Sequence, residues 1–375
     1  MLNENEQRVL EIIKKTPFIT QNEIGNSLGL SRSTVATIIS SLVDKKIILG
    51  RSYVLNDETS SVFCIGGINV DRKYNLIEDL ILGTSNPAHS QVYVGGVGRN
   101  VAENLGKLGH KPQMISVGGF DQDFEFIKKE SQDFINFHHV KQLHNYSTGS
   151  YSAVLDKNGE MQFALSVMEV LDEMDLKFIS SFKTILEDAK LIAVDLNLPR
   201  ETVEFLIQFA KERSIDLVII PVSSPKMKNL PKDLKGVSWI IANQDESEAY
   251  FNIKVKNDND FDDLVERWIE SGVENAIITR GSKYSLYGNA FGKRLKFSPP
   301  RTDNIVDVTG AGDSYSAGII HGHLMGYPPE ETIELAMTNA FYTIQTNSTV
   351  REDLTRKKLE DQRNILIEKG LLKWS

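Results

Sequence analysis

Cysteine is almost absent: Cys64 stands alone in 375 residues, which excludes an internal disulfide framework and a Cys-rich zinc site. Long apolar runs are missing as well, and none approaches the roughly 18 residues that a membrane-spanning helix needs. The opening Met1-Leu2-Asn3-Glu4-Asn5-Glu6 has neither the basic segment nor the apolar core of a signal peptide. A cytoplasmic protein without membrane contact is the expectation. No Walker A loop occurs, and no His-Arg-Asp catalytic loop, so neither a P-loop NTPase nor a protein kinase is indicated. What remains is an ordinary globular composition, 41% apolar and 25% charged, in a chain too long for one typical domain.

Charge is unevenly divided. The chain carries 42 Lys and Arg against 51 Asp and Glu, a net −9. Residues 1–55 hold seven basic and five acidic residues, +2, which leaves −11 for the rest. A slightly basic head on an acidic body suggests a polyanion partner for the head alone.

Within that head, Val9, Leu10, Ile12 and Ile13 repeat at helical spacing and stop before Pro17. Thr20-Gln21-Asn22-Glu23 reads as a capping box opening a short helix with Ile24 and Leu28. Gly29 suits a left-handed turn, and Ser31 caps a third helix bearing Val35, Ile38, Ile39, Leu42 and Val43. Ile47-Ile48-Leu49 and Tyr53-Val54-Leu55, on either side of Gly50-Arg51-Ser52, read as a β-ribbon. This order resembles a winged helix-turn-helix, which implies a double-stranded DNA partner. Arg32, Ser33, Thr34 and Thr37 on the third helix would meet the major groove, with Lys45, Lys46 and Arg51 beside the backbone. The alternative is a three-helix packing module with a solvated polar face. So few basic residues make a homodimer the expected DNA-binding form. Residues 56–61 are a polar linker.

From residue 62 to 350 short apolar strands (62–65, 114–117, 191–194, 217–220, 239–242, 276–279) alternate with amphipathic stretches. That is the pattern of an α/β, doubly wound, mainly parallel sheet. A hairpin at 150–165, turning at Asn158-Gly159, breaks the pattern and predicts a small β lid. Residues 351–375 read as a helical tail.

Two glycine-rich stations punctuate this body. The first is Gly95-Gly96-Val97-Gly98-Arg99-Asn100, with Val101 where a dinucleotide fingerprint needs its third Gly or Ala. The second is Asp307-Val308-Thr309-Gly310-Ala311-Gly312-Asp313, leading into a helix. Small residues admit a ligand close to the backbone, and free N–H groups at a helix start attract phosphate. An Asp at such a turn can accept a proton from a hydroxyl.

Taken in order, these stations resemble the PfkB (ribokinase-like) family of carbohydrate and nucleoside kinases over residues 62–350. The resemblance implies an ATP- and Mg²⁺-dependent kinase and leaves room for K⁺ near Asp307. In Ile65-Gly66-Gly67-Ile68-Asn69-Val70-Asp71 it implies a first strand whose closing Asp71 binds sugar hydroxyls, with Asn69, Gly95, Gly96 and Asn100 also on the acceptor. Asp313 would be the catalytic base, and Gly310, Ala311 and Gly312 its anion hole. Asn243 and Glu246 would organise Mg²⁺ largely through water, while Thr279, Gly281 and Asn339 would line the nucleotide side. Three details resemble pseudouridine kinases within the family: Thr84-Ser85-Asn86-Pro87, with Ser85 and Asn86 as acceptor contacts; the full hexad 95–100; and Pro221-Val222-Ser223 followed by Lys226. Other nucleoside or sugar acceptors, or a DNA-binding regulator using the body as a sensor, are the competing expectations.

Overall fold

The computed structural model describes residues 2–15, 19–45, 47–48 and 62–374. Two compact units divide the chain, a head that ends at Ser60 and a body that takes in nearly all of the remaining residues.

Three helices form the head: α1 (Glu4–Lys15), α2 (Gln21–Leu28) and α3 (Arg32–Asp44). The capping box is present as expected. Thr20 Oγ1 accepts the Glu23 N–H, and Glu23 Oε2 accepts the Thr20 N–H at 2.7 Å. Gly29, at φ +68°, ends α2 in the left-handed region. Val9, Leu10, Ile13, Ile24, Val35, Ile38, Ile39, Leu42 and Ile48 close a small apolar core, whereas Val43, one residue off the stripe, faces solvent. Lys45 departs from expectation. Its ammonium lies 2.6 and 2.8 Å from the two oxygens of the buried Glu6, whose carboxyl is pulled down to about 2 by Lys45, Ser41 and Asn3. Lys45 therefore braces α3 against α1 instead of standing free for a phosphate. Lys46, Arg51, the rest of the ribbon beyond Ile48 and the linker at 56–61 lie outside the described residues.

The body is built on β1 (Val62–Ile65), β2 (Asn69–Leu76), β3 (Ala88–Gly95), β4 (Gln113–Gly119), β5 (Asn136–Leu143), β6 (Gly149–Leu155) and β7 (Met161–Val167). It continues with β8 (Leu191–Asp195), β9 (Asp216–Ile220), β10 (Trp239–Asn243), β11 (Asn275–Thr279), β12 (Ser285–Asn289), β13 (Arg294–Ser298) and β14 (Lys373–Trp374). One ten-stranded sheet runs β14-β13-β12-β11-β10-β9-β8-β1-β4-β5. From β5 to β11 every pairing is parallel, and the β12–β14 edge is antiparallel. The central strands are buried from end to end, as strands covered by helices on both faces must be. The tail forms the helix Arg356–Glu368, with Leu359 and Leu366 buried, and then adds β14 to the sheet edge.

A second sheet, β3-β2-β6-β7, is larger than the expected lid. The hairpin at 150–165 is its β6–β7 half, and β6 pairs parallel with β2. The first strand also needs correction: it ends at Ile65, and Asp71 sits on β2 in the lid sheet rather than closing β1. Gly66 follows the strand where a Cβ would lie 2.3 Å from Asp195 Oδ2, so no side chain fits at the bend. Among the described residues no helix is long and apolar enough to cross a membrane.

Candidate active site

Asp195, the last residue of β8, anchors the floor of the site. Its buried carboxylate accepts the N–H groups of Gly67 at 2.8 Å, Gly98 at 2.9 Å and Asn197 at 2.9 Å. One side chain thus pins the bend after β1 to the start of the helix Val97–Lys107. Burial raises the Asp195 pKa, against the pull of those N–H groups. Sequence reading missed this residue; its one signal was a lone Asp closing the apolar run Leu191-Ile192-Ala193-Val194. Gly96 opens the helix at φ +96°, with Gly67 O 2.3 Å from where a Cβ would stand. At Gly95 a Cβ would meet Asp71 Oδ2 at 2.3 Å, so its absence makes room for that carboxylate. Asp71 accepts from Asn69 Nδ2 at 2.6 Å, and burial raises its pKa.

Opposite, the helix Ala311–Leu324 starts from Gly310 at φ +81°, where a Cβ would lie 2.1 Å from Thr349 O. Nothing lies within 4 Å of the corresponding point on Gly312, which faces open space. Ala311 turns its N–H back to Val308 O at 3.3 Å, a long bond that an anion would have to displace. Asp313, in the first turn, accepts from Asn100 Nδ2 at 2.6 Å. Burial pushes its carboxyl up to about 6; Asn100 and Arg99 pull it down, while Asp195 and Asp71 add to the rise. Asn100, expected on the acceptor, thus has its amide group engaged with the expected base.

On the nucleotide side, Asn243 and Thr279 are register partners at the ends of β10 and β11. Asn243 and Glu246 form the capping box of the helix Gln244–Phe251: Asn243 Oδ1 accepts the Glu246 N–H, and Glu246 Oε2 accepts the Asn243 N–H, both at 2.8 Å. Burial pushes Glu246 up to about 7, and Asp245 and Asp313 push the same way. A divalent ion bound nearby through water would favour the ionised form of Glu246. Gly281, at φ +58°, has open space around it.

Two residues expected to make ligand contacts have their side chains engaged within the protein. Asn339 is fully buried: its Nδ2 donates to Asn104 Oδ1 and Ser314 O, and its Oδ1 accepts from Arg351, so its polar atoms join helices within the body. Asn86 spends both amide hydrogens on Ile81 O and Thr84 O and accepts the Ile81 N–H, which shapes its own loop. Ser85 in that loop is exposed. At the expected K⁺ position, Asp307 already pairs with Lys73 from the lid strand β2 and accepts from the Thr309 N–H and hydroxyl. Lys73 was not singled out in the sequence, where it reads as an ordinary polar strand residue.

In the head, Arg32, Ser33, Thr34 and Thr37 all lie exposed on α3. Ser33 and Thr34 share hydrogen bonds with Ser31, and Thr37 donates to Ser33 O at 3.0 Å.

Comparison with known proteins matches this geometry. Residues 59–355 fit the model of the pfkB family carbohydrate kinase, and residues 2–48 fit a winged helix-turn-helix DNA-binding model. An uncharacterized sugar kinase of Escherichia coli, YeiI, is 27% identical over 90% of this chain and 93% of its own. A pseudouridine kinase of the same organism is 25% identical over 80% of this chain and 95% of its own. The structure of Arabidopsis thaliana ribokinase complexed with ribose and ATP superposes with a TM-score of 0.70 at 18% identity, over 80% of this chain and 98% of that one.

Proposed function

Because the chain belongs to the pfkB family of carbohydrate kinases, and so is an ATP-dependent phosphotransferase, we propose that its acceptor is the 5′-hydroxyl of pseudouridine. We propose also that its winged helix-turn-helix head binds duplex DNA. The buried Asp313, held by Asn100 in the first turn after Gly310 and next to the open face of Gly312, carries the phosphotransfer reading. The hexad 95–100 and the likeness to the Escherichia coli pseudouridine kinase support the choice of nucleoside.

In the proposed reaction Asp313 takes the proton of the 5′-hydroxyl as its oxygen bonds to the γ-phosphorus. The bond from that phosphorus to the β,γ-bridging oxygen breaks, and ADP leaves with the electron pair. The N–H groups of Gly312 and its neighbours at the helix start offset charge on the transferring group. Asp71 and Asn69 hold the ribose from the lid, whose closure excludes water as a rival acceptor. Mg²⁺, when bound, would neutralise the β- and γ-phosphates, and Asn243 and Glu246 are the residues that would orient its water shell.

The test is ATP turnover with pseudouridine, uridine, ribose and fructose. Pseudouridine should lead in kcat/KM by at least about tenfold, the smallest discrimination that a one-group difference in a pocket usually gives. Equal or better use of ribose or fructose removes the assignment.

For the head, Arg32 is the basic side chain at the start of α3, and Lys45 is committed to Glu6. One copy therefore makes few phosphate contacts, and two copies on half-sites one helical turn apart are needed. With about two phosphates neutralised per copy, affinity for upstream duplex should fall with a log–log salt slope of about −3 to −4. Salt-independent binding, or none at low ionic strength by a dimeric protein, overturns the DNA reading and leaves the kinase untouched.

A further inference from the structure

Arg99 is a large, nearly fully buried cation in the first turn of the helix Val97–Lys107. Its guanidinium is divided between two tasks. Nη1 pairs with Glu103 and donates to Ser131 Oγ at 3.2 Å. Nη2 donates to Asn100 Oδ1, to Val94 O at 3.0 Å and to Thr349 Oγ1 at 3.1 Å. The other end of the Asn100 amide points at Asp313. An amide has one accepting and one donating end, and here each meets an opposite. A flipped Asn100 would set its carbonyl against a carboxylate and its NH₂ against a guanidinium, and both arrangements repel.

We propose that Arg99 is a positioning residue for the phosphotransfer: it holds the Asn100 oxygen, obliges the NH₂ to face Asp313, and so keeps that carboxylate in its proton-accepting form. Ion pairing alone would be served by Glu103, one turn away; the second branch, onto Asn100, is what reaches the site. The charged groups around Asp313 make the device necessary. Asp71 on β2 and Asp195 at the end of β8 both disfavour its ionisation, and Glu246 is a third carboxylate within electrostatic reach. Against burial and these three stand the Asn100 hydrogen bond and the Arg99 charge, and one residue sustains both.

The inference rests on Asp313 being the base, so its test separates the two. The pH dependence of kcat is recorded for the full chain with saturating ATP and acceptor, for the wild type, Asp313→Asn, Arg99→Lys, and Arg99→Met with Glu103→Gln. The paired substitution does not leave Glu103 buried without its cation. ATP ionises alike in every sample, so differences between variants belong to the protein. The acid limb should move up by about one pH unit in the double variant, a tenfold gain in proton affinity, and by less in Arg99→Lys. Turnover on the alkaline plateau should stay within about tenfold of wild type, where Asp313 is ionised without help. An equal loss at every pH, with the limb unmoved, would make Arg99 purely structural and overturn the inference. Wild-type turnover in Asp313→Asn would instead remove the base beneath it. If the double variant does not fold, Arg99→Lys decides, and an unshifted limb there counts against the proposal.

Discussion

Asp313→Asn is expected to lower kcat at least ~10²-fold while changing the KM for ATP little, because a positioned base contributes ~10²–10⁴-fold. The substitution is nearly isosteric, and its geometric cost is confined to one bond. Asn100 Nδ2 now donates to Asp313 Oδ2, and it can still donate to an Asn oxygen at the same place. What is lost is a group that accepts a proton. The same assignment fixes a pH dependence. With the carboxyl pushed up to about 6, the base is ionised above that pH and protonated below it, so wild-type turnover should fall as pH drops through about 6. A residual activity in Asp313→Asn should lack that limb. Near wild-type turnover would take Asp313 out of the chemistry.

Gly310→Ala should also be severe, at about 10² in kcat, although it adds one methyl group and removes no functional atom. At φ +81° an alanine is strained by ~1–3 kcal/mol, and its Cβ would sit 2.1 Å from Thr349 O, a backbone atom with no rotamer to yield. The helix start must move, and a displacement of about 1 Å at the reacting centre costs about this much. Gly312→Ala is the control for space rather than strain. Its Cβ meets nothing within 4 Å, so the fold should be undisturbed and any loss should appear against phosphate-bearing ligands alone. Full activity in Gly310→Ala would mean that the turn does not set the position of Asp313.

Much of this was legible in the chain. Thr20, Glu23, Gly29 and Ser31 do their work within a few residues, and the structure shows each doing it. The order of strands and glycine stations likewise revealed the mostly parallel sheet. Residues whose partners lie far away were misread or passed over. Asp195 meets Gly67 and Gly98 from 128 and 97 residues off, and nothing local marks it. Asn339 belongs to the body's interior because Asn104 and Arg351 satisfy it there, and an Asn on a helix looks the same beside a nucleotide. Lys45 looked free because Glu6 lies 39 residues earlier. The bend after β1 was hidden by an apolar run that continues through Ile68 and Val70 while the backbone changes sheet.

Thr349 gives the molecule a timetable. Its carbonyl packs on Gly310, and its hydroxyl meets Arg99 and Asn100, 250 and 249 residues upstream. A ribosome must therefore deliver the chain through Thr349 before this junction can assemble. The three-helix head closes its own core within the first 48 residues, and a unit of that kind can fold while the remainder is still being made. Translation thus separates the head from the phosphotransferase in time. A message cut short anywhere between the linker and codon 349 would yield a head with no means of phosphorylating anything, competing with the intact protein for whatever the head binds.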